Sequence, residues 1–205
     1  MTNIGQEYFL DFAEHAHPDA QTVLDVGCGD GNLSRYMIAQ GYSVLGIDKI
    51  EPDIDSALWN YRYGLLEDWW PFVGKFDIVL ASHVLEHIQD TGVALGHLRN
   101  CMKDDGWLLV IVPPFKHEIV GGHVHVFNMG LLMYNLILAG FDVKHGHFCK
   151  HGYNIGAYVQ KSNDRLPDIS YDSGNIEKLK DFWPERKPAF TQGFHGDLQK
   201  VNWFE

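Results

Sequence analysis

Residues 23–48 read VLDVGCGDGNLSRYMIAQGYSVLGID, and the order of features along this stretch decides the fold. TVLDVG (Thr22 to Gly27) is a β-branched apolar run of the kind buried in a parallel strand. The turn Gly27-Cys28-Gly29-Asp30-Gly31 follows, and Leu33 and Met37 lie one turn apart on a helix from about Gly31 to Gln40. Gly41 stops that helix, and SVLGID (Ser43 to Asp48) starts a second strand that ends on a carboxylate. A strand, a glycine turn, a helix and a parallel strand make one winding unit. The turn falls at the carboxyl end of the first strand, where doubly wound sheets bind ligands.

The rest of the chain extends this unit. Residues 3–16 predict an amphipathic helix with Tyr8, Phe9 and Phe12 on one face. Residues 51–66 predict a short helix and a third strand near Tyr61 to Leu66, and Lys75 to Ser82 a fourth strand. The helix predicted over residues 90–106 carries Leu95, Leu98, Cys101 and Met102 at helical spacing, and Trp107 to Pro113 is the fifth strand. Asn128 is a candidate N-cap for the helix NMGLLMYNLILAG. FDVKHGHFCK and YNIGAYVQK then predict two strands joined at His151-Gly152. Alternating strands and helices give an α/β, Rossmann-like, doubly wound domain. Its sheet is expected to be mixed and seven-stranded, with an antiparallel final strand added at the edge. Residues 1–161 form this domain. Residues 162–205 lack clean periodicity and are read as an irregular extension whose aromatics either pack on the domain, cover its pocket or form a homodimer contact.

Composition narrows the function. The 205 residues are 45% apolar, enough to bury a core, and the net charge of −11 disfavours a phosphate backbone as partner. No nucleic acid is expected. Cys28, Cys101 and Cys149 are too far apart for a CxxC zinc site or a disulfide framework. With no basic leader and no apolar run long enough to span a bilayer, the expectation is a cytoplasmic protein.

The glycine turn is D-x-G-x-G-x-G, from Asp25 through Gly27 and Gly29 to Gly31. A dinucleotide loop prefers G-x-G-x-x-G, and here Asn32 occupies its third glycine position. Asp25 and Asp30 would repel a pyrophosphate, whereas they suit a cationic, phosphate-free ligand such as S-adenosylmethionine (SAM). Asp48 is placed to accept both hydroxyls of a ribose diol. Ser82 and His83 fall at the carboxyl end of the fourth strand. His83 and His87, four apart, could share a helical face, but no third ligand is evident in the local spacing, so no metal is expected. The loop KHEIVGGHVHVFN adds His117, Glu118, His123 and His125, with Gly121-Gly122 as a hinge. Histidine is suited to accept a proton near neutral pH, so His83, His87, His117, His123 and His125 are candidates for a general base or for packing roles.

LDVGCGDG, GYSVLGID, FDIVLASHVLEHIQD and DDGWLLVIVP together resemble the class I SAM-dependent methyltransferases over about residues 20–160. The resemblance is to the small-molecule type, similar to ubiquinone-pathway O-methyltransferases and sugar methyltransferases. It implies SAM as cofactor, with Asp25, Gly27, Cys28, Gly29 and Gly31 bordering its methionine part and Asp48 holding its ribose. The adenine partner of many relatives, an acidic residue after the third strand, is replaced here by Leu65-Leu66, with Glu67 and Asp68 following; backbone N–H of Leu66 or Glu67 is the alternative. Ser82 faces the sulfonium region, and the histidine loop helps form the acceptor pocket. The expected reaction is O-methylation of a hydroxylated small molecule such as a sugar. A protein or amine acceptor, and a catalytically inactive subunit of the same fold, are the alternatives. Pro113-Pro114-Phe115 follows Val112 rather than an acidic or amide residue, which argues against a DNA adenine methyltransferase.

Overall fold

The computed structural model describes residues 5–50, 60–66, 75–186 and 189–203. One eight-stranded sheet runs through them in the order β3-β2-β1-β4-β5-β7-β6-β8. The strands are β1 (Thr22–Val26), β2 (Ser43–Asp48), β3 (Asn60–Tyr63), β4 (Phe76–Ser82), β5 (Met102–Val112), β6 (Phe141–His151), β7 (Asn154–Lys161) and β8 (Lys200–Val201). The first five pair in parallel, and β7 is antiparallel to both β5 and β6.

Both faces of the central strands are apolar, and alternate residues serve opposite layers. Leu24, Val79, Ala81, Leu108 and Val110 pack in one layer with helices α3 (Thr91–Cys101) and α4 (Met129–Leu138). Val23, Ile78, Leu80, Leu109 and Ile111 pack in the other with α1 (Glu7–Ala16) and α2 (Asn32–Ala39). Two helices start on side-chain caps: Asp90 accepts from the Val93 amide at 3.0 Å, and Asn128 from the Leu131 amide at 2.8 Å.

Three details differ from the sequence reading. The sheet has eight strands rather than seven, because Lys200 and Val201 pair with Cys149 and Phe148 and cover the exposed edge of β6. The antiparallel strand β7 lies inside the sheet between β5 and β6, not at its edge. Chain β5 begins at Met102, directly after α3, with a register irregularity against β4 before Trp107. The helix expected within residues 51–59 lies outside the described residues.

Beyond β7 the chain forms the short helix α5 (Asn175–Lys178) and returns along α4 and β6. Trp183 and Phe190 are buried and stack at 4.7 Å, with Phe194 against both and Tyr134 of α4 alongside. Trp203 stacks on Phe12 at 3.7 Å and donates its indole N–H to the Tyr8 hydroxyl at 3.0 Å. These described aromatics pack on α1, α4 and the β6 side, and none lines the cavities at the carboxyl ends of the strands. Phe204 lies outside the described residues. No helix among the described residues is long and apolar enough to cross a membrane.

Candidate active site

The strand ends and the glycine turn enclose a cleft of about 310 Å³, within the usual range for small-ligand sites. Gly27, with φ of 68°, turns the chain sharply out of β1, and its amide donates to the Ile47 carbonyl at 2.8 Å. A Cβ on Gly27 would lie 2.3 Å from a methyl of Val84, so the turn and the segment after β4 are pressed together there. Asp48 ends β2 at the cleft; its Oδ2 accepts from the Gly29 amide at 2.8 Å and its Oδ1 from the Ile50 amide at 3.0 Å. Each oxygen keeps lone-pair capacity for a further donor.

Asp25 lies beneath the turn rather than in the cleft wall. It is buried and accepts from the Ser34 hydroxyl at 2.6 Å. Burial pushes its carboxyl up to about 7, against the pull of the Ser34 bond, and the nearby Asp48 charge pushes the same way. Cys28 is nearly buried, and burial followed by the Asp25 and Asp48 charges pushes its thiol far up, so it is no nucleophile. Ser82 is also buried, and its hydroxyl accepts from the side chain of Gln6 at 2.8 Å.

Of the candidate cofactor residues, Gly27, Asp48 and Leu66 line the cleft, together with His83 and His87. Asp25, Cys28, Gly29, Gly31 and Ser82 surround or support it. Glu67 and Asp68 lie outside the described residues. Leu66 is buried, and its carbonyl accepts from His97 at 2.6 Å. Val84, Ile50 and Ile88 supply apolar wall that the sequence reading did not single out; their only signal was nearness to Asp48 and His87. Gln6 was missed as well, since a helix N-cap glutamine gives no hint of a partner 76 positions away.

His83 and His87 do not share a helical face. His83 takes a left-handed φ of 55° at the exit of β4, and only Leu85–His87 forms a single 3-10 turn. His83 Nε2 lies 2.8 Å from the Asn154 side-chain oxygen, and its Nδ1 lies 3.2 Å from Glu86 Oε1. Burial disfavours the imidazolium, yet Glu86 and Asn154 outweigh it and raise the His83 pKa above 6.5. Glu86 is fully buried, and its carboxylate has no well-aligned hydrogen bond; the His83 contact is within ion-pair distance but off the hydrogen-bond direction.

The histidine loop folds back onto this turn. The amides of Val124 and His125 donate to the Glu86 carbonyl at 2.8 and 3.2 Å. His87 Nδ1 lies 2.9 Å from the Gly122 carbonyl, and the His87 and His123 rings meet edge to face at 4.8 Å. His125 Nε2 lies 3.1 Å from the Gln89 carbonyl. His117, His123 and His125 line a second cavity of about 280 Å³, walled by Phe115, Ile119 and Tyr153 among others. His87 borders the first cavity and His123 the second, so this ring pair marks where the two adjoin.

A family model described as a methyltransferase domain matches residues 6–151. The chain belongs to the methyltransferase-domain family. Curated relatives match this chain over part of its length. A ubiquinone biosynthesis O-methyltransferase of Rhodopseudomonas palustris is 37% identical over 97 residues, 43% of this chain and 38% of that one. Another, from Caulobacter vibrioides, is 34% identical over 110 residues, 49% of this chain and 44% of that one. The matched region is thus less than half the length of these relatives. Among solved structures, 1,6-didemethyltoxoflavin-N1-methyltransferase of Burkholderia thailandensis, with bound 1,6-didemethyltoxoflavin and S-adenosylhomocysteine, has a TM-score of 0.65 at 19% identity, covering 77% of this chain and 78% of that one. A SAM-dependent methyltransferase of Archaeoglobus fulgidus has a TM-score of 0.62 at 15% identity, covering 76% and 94%. At these identities the structural likeness carries the fold, and the family match carries membership of the methyltransferase-domain family. The donor set of the cleft fits SAM: a carboxylate at the end of β2, apolar wall for a flat base, and a turn without side chains over the cleft.

Proposed function

We propose that the chain methylates a hydroxyl oxygen on a small acceptor with an apolar, ring-sized body. One observation carries the reading: the cofactor cleft and the histidine-loop cavity adjoin at the His87–His123 ring pair, 4.8 Å between centroids. A donor site and an acceptor site that adjoin are what methyl transfer requires.

When bound, SAM supplies a methyl group made electrophilic by its sulfonium. Asp48 accepts the ribose hydroxyls, and the apolar wall of Ile50, Leu66 and Ile88 takes the adenine. The glycine turn lets the methionine part approach the backbone. Holding donor and acceptor together supplies a term of up to ~7–11 kcal/mol. His123 or His125 faces the acceptor, where it orients the hydroxyl or receives its proton; such a base contributes about 10²–10⁴-fold.

The acceptor's character follows from the second cavity. Phe115 and Tyr153 are half-exposed there and Ile119 is almost fully exposed, which leaves apolar surface in want of a partner. This favours a hydroxylated acceptor with an apolar body over the bare sugar suggested by the sequence. The partial relatives named as O-methyltransferases support oxygen as the methylated atom. The test is a panel of substituted phenols, sugars and amines with radiolabelled SAM, with SAM and NAD binding measured by calorimetry. Transfer to the phenols is expected. Transfer confined to sugars or amines overturns the acceptor assignment, and tight NAD binding without SAM binding overturns the cofactor assignment.

A further inference from the structure

We propose that Glu86, His87 and His123 form a binding site for a divalent first-row transition cation of the zinc kind. One ligand atom from each residue lies within 4.8 Å of the others. Around a tetrahedral ion such atoms stand roughly 3.4 Å apart, from metal–ligand bonds of about 2.0–2.2 Å. His87 is exposed and His123 half-buried, so side-chain rotation can close the difference.

Two further observations point to a cation. Glu86 is 0% exposed, and both its carboxylate oxygens lack an aligned hydrogen bond among the described residues. Burying such a carboxylate is costly, and a coordinated cation offsets that cost. His83 pairs with Oε1 at 3.2 Å, within ion-pair distance, which leaves Oε2 without a partner among the described residues. The second observation concerns His87. Its Nδ1 faces the Gly122 carbonyl at 2.9 Å, and a carbonyl only accepts, so Nδ1 carries the hydrogen. The bare lone pair of the neutral ring is then on Nε2. Metal-binding histidines are commonly oriented in this way by a backbone carbonyl.

The loop is built for the same purpose. Gly122 orients one ligand, and the next residue, His123, supplies another. The amides of Val124 and His125 fasten the loop to the carbonyl of Glu86, the third ligand residue. Glu86 and His87 are neighbours in sequence, and the fold brings His123 to them from 36 positions beyond His87. Two imidazoles and one carboxylate leave coordination positions open. Because the site stands where the two cavities adjoin, an open position suits the oxygen of a hydroxylated acceptor; this last role rests on the methyl-transfer reading.

The experiment strips the full chain with a chelator and titrates Zn²⁺ by calorimetry, with SAM binding measured in parallel. A single tight equivalent is expected. Glu86→Gln and His123→Ala should each weaken it by roughly 100-fold or more, since loss of an orienting partner alone costs about 10–100-fold. SAM affinity should hold in both. His145→Ala, on the far part of β6, tests adventitious zinc binding by surface histidines and should leave the tight equivalent unchanged. Co²⁺ in place of Zn²⁺ should give visible absorption that His123→Ala alters. No tight equivalent, or one that survives both ligand substitutions, overturns the site. Should Glu86→Gln fail to fold, His123→Ala decides alone. Zinc binding without SAM binding would defeat the methyl-transfer reading and leave the cation site standing; SAM binding without zinc would do the opposite.

Discussion

The cofactor side and the acceptor side of this molecule are built by different means. The cleft at the ends of β1, β2 and β4 takes its shape from the backbone: a glycine turn, two amides held by the strand-end carboxylate of Asp48, and a close contact between Gly27 and Val84. The histidine side is made of side chains carried by a loop that returns to the sheet through a few bonds to one turn. A backbone-built site tolerates almost no change of shape, whereas a side-chain-built site can be altered piece by piece. Substitutions on the two sides should therefore fail in different ways.

The largest effect is expected at Gly27. A methyl there meets Val84 at 2.3 Å on a left-handed backbone, so Gly27→Ala should abolish SAM binding, or weaken it beyond about 100-fold, as the cost of strain and overpacking implies. Calorimetry showing near-normal affinity would remove the claim that the turn and Val84 set the cleft.

Next comes Asp25, where pH separates stability from binding. Its pKa is raised from 3.8 to about 7 by burial, so its contribution to stability is fully present below about 3.8 and is lost as pH rises through about 7. The slope between these values is ~1.4 kcal/mol per pH unit. Asp25→Asn keeps a neutral acceptor for Ser34 and removes this titration. Its melting temperature should gain on the wild type steadily from pH 4 to pH 7 and then level off. A difference that stays constant over that range would show that Asp25 is ionised throughout.

Asp48→Ala should weaken SAM by about 1.5–3 kcal/mol, the scale of charged hydrogen bonds, in a protein with unaltered circular dichroism. Unchanged affinity would mean that β2 does not carry the ribose acceptor. The smallest effect belongs to the acceptor side. Phe115→Ala removes ~50 Å² of contact from an apolar acceptor, about 1.3 kcal/mol, and should raise its KM roughly tenfold while leaving SAM affinity alone. Equal loss of SAM affinity would erase the distinction between the two sides.

The same distinction explains what the sequence disclosed. Gly27, Gly29, Gly31 and Asp48 follow one another within a single winding unit, so local order was enough to place them together. The parallel strands were legible from apolar runs whose alternate residues serve both layers. The position of β7 between β5 and β6 was not, because pairing order is set by long-range register rather than by local pattern. The eighth strand spans two residues, too few for any period. On the acceptor side, a pair of histidines four apart suggested a helical face that the left-handed His83 breaks. The meeting of His87 with His123 depends on a loop path that neither segment encodes alone.

The clasp of Trp203 on α1 has a consequence for the order of assembly. Gln6, at the start of that helix, holds the Ser82 hydroxyl at the exit of β4, and Trp203 braces the same helix through Tyr8 and Phe12. A ribosome delivers Gln6 and Trp203 197 positions apart. The glycine turn can be in place long before Trp203 emerges, but the support behind Ser82 waits for it. Parts of the cleft made early are therefore braced only once Trp203, 121 positions beyond Ser82, has been added.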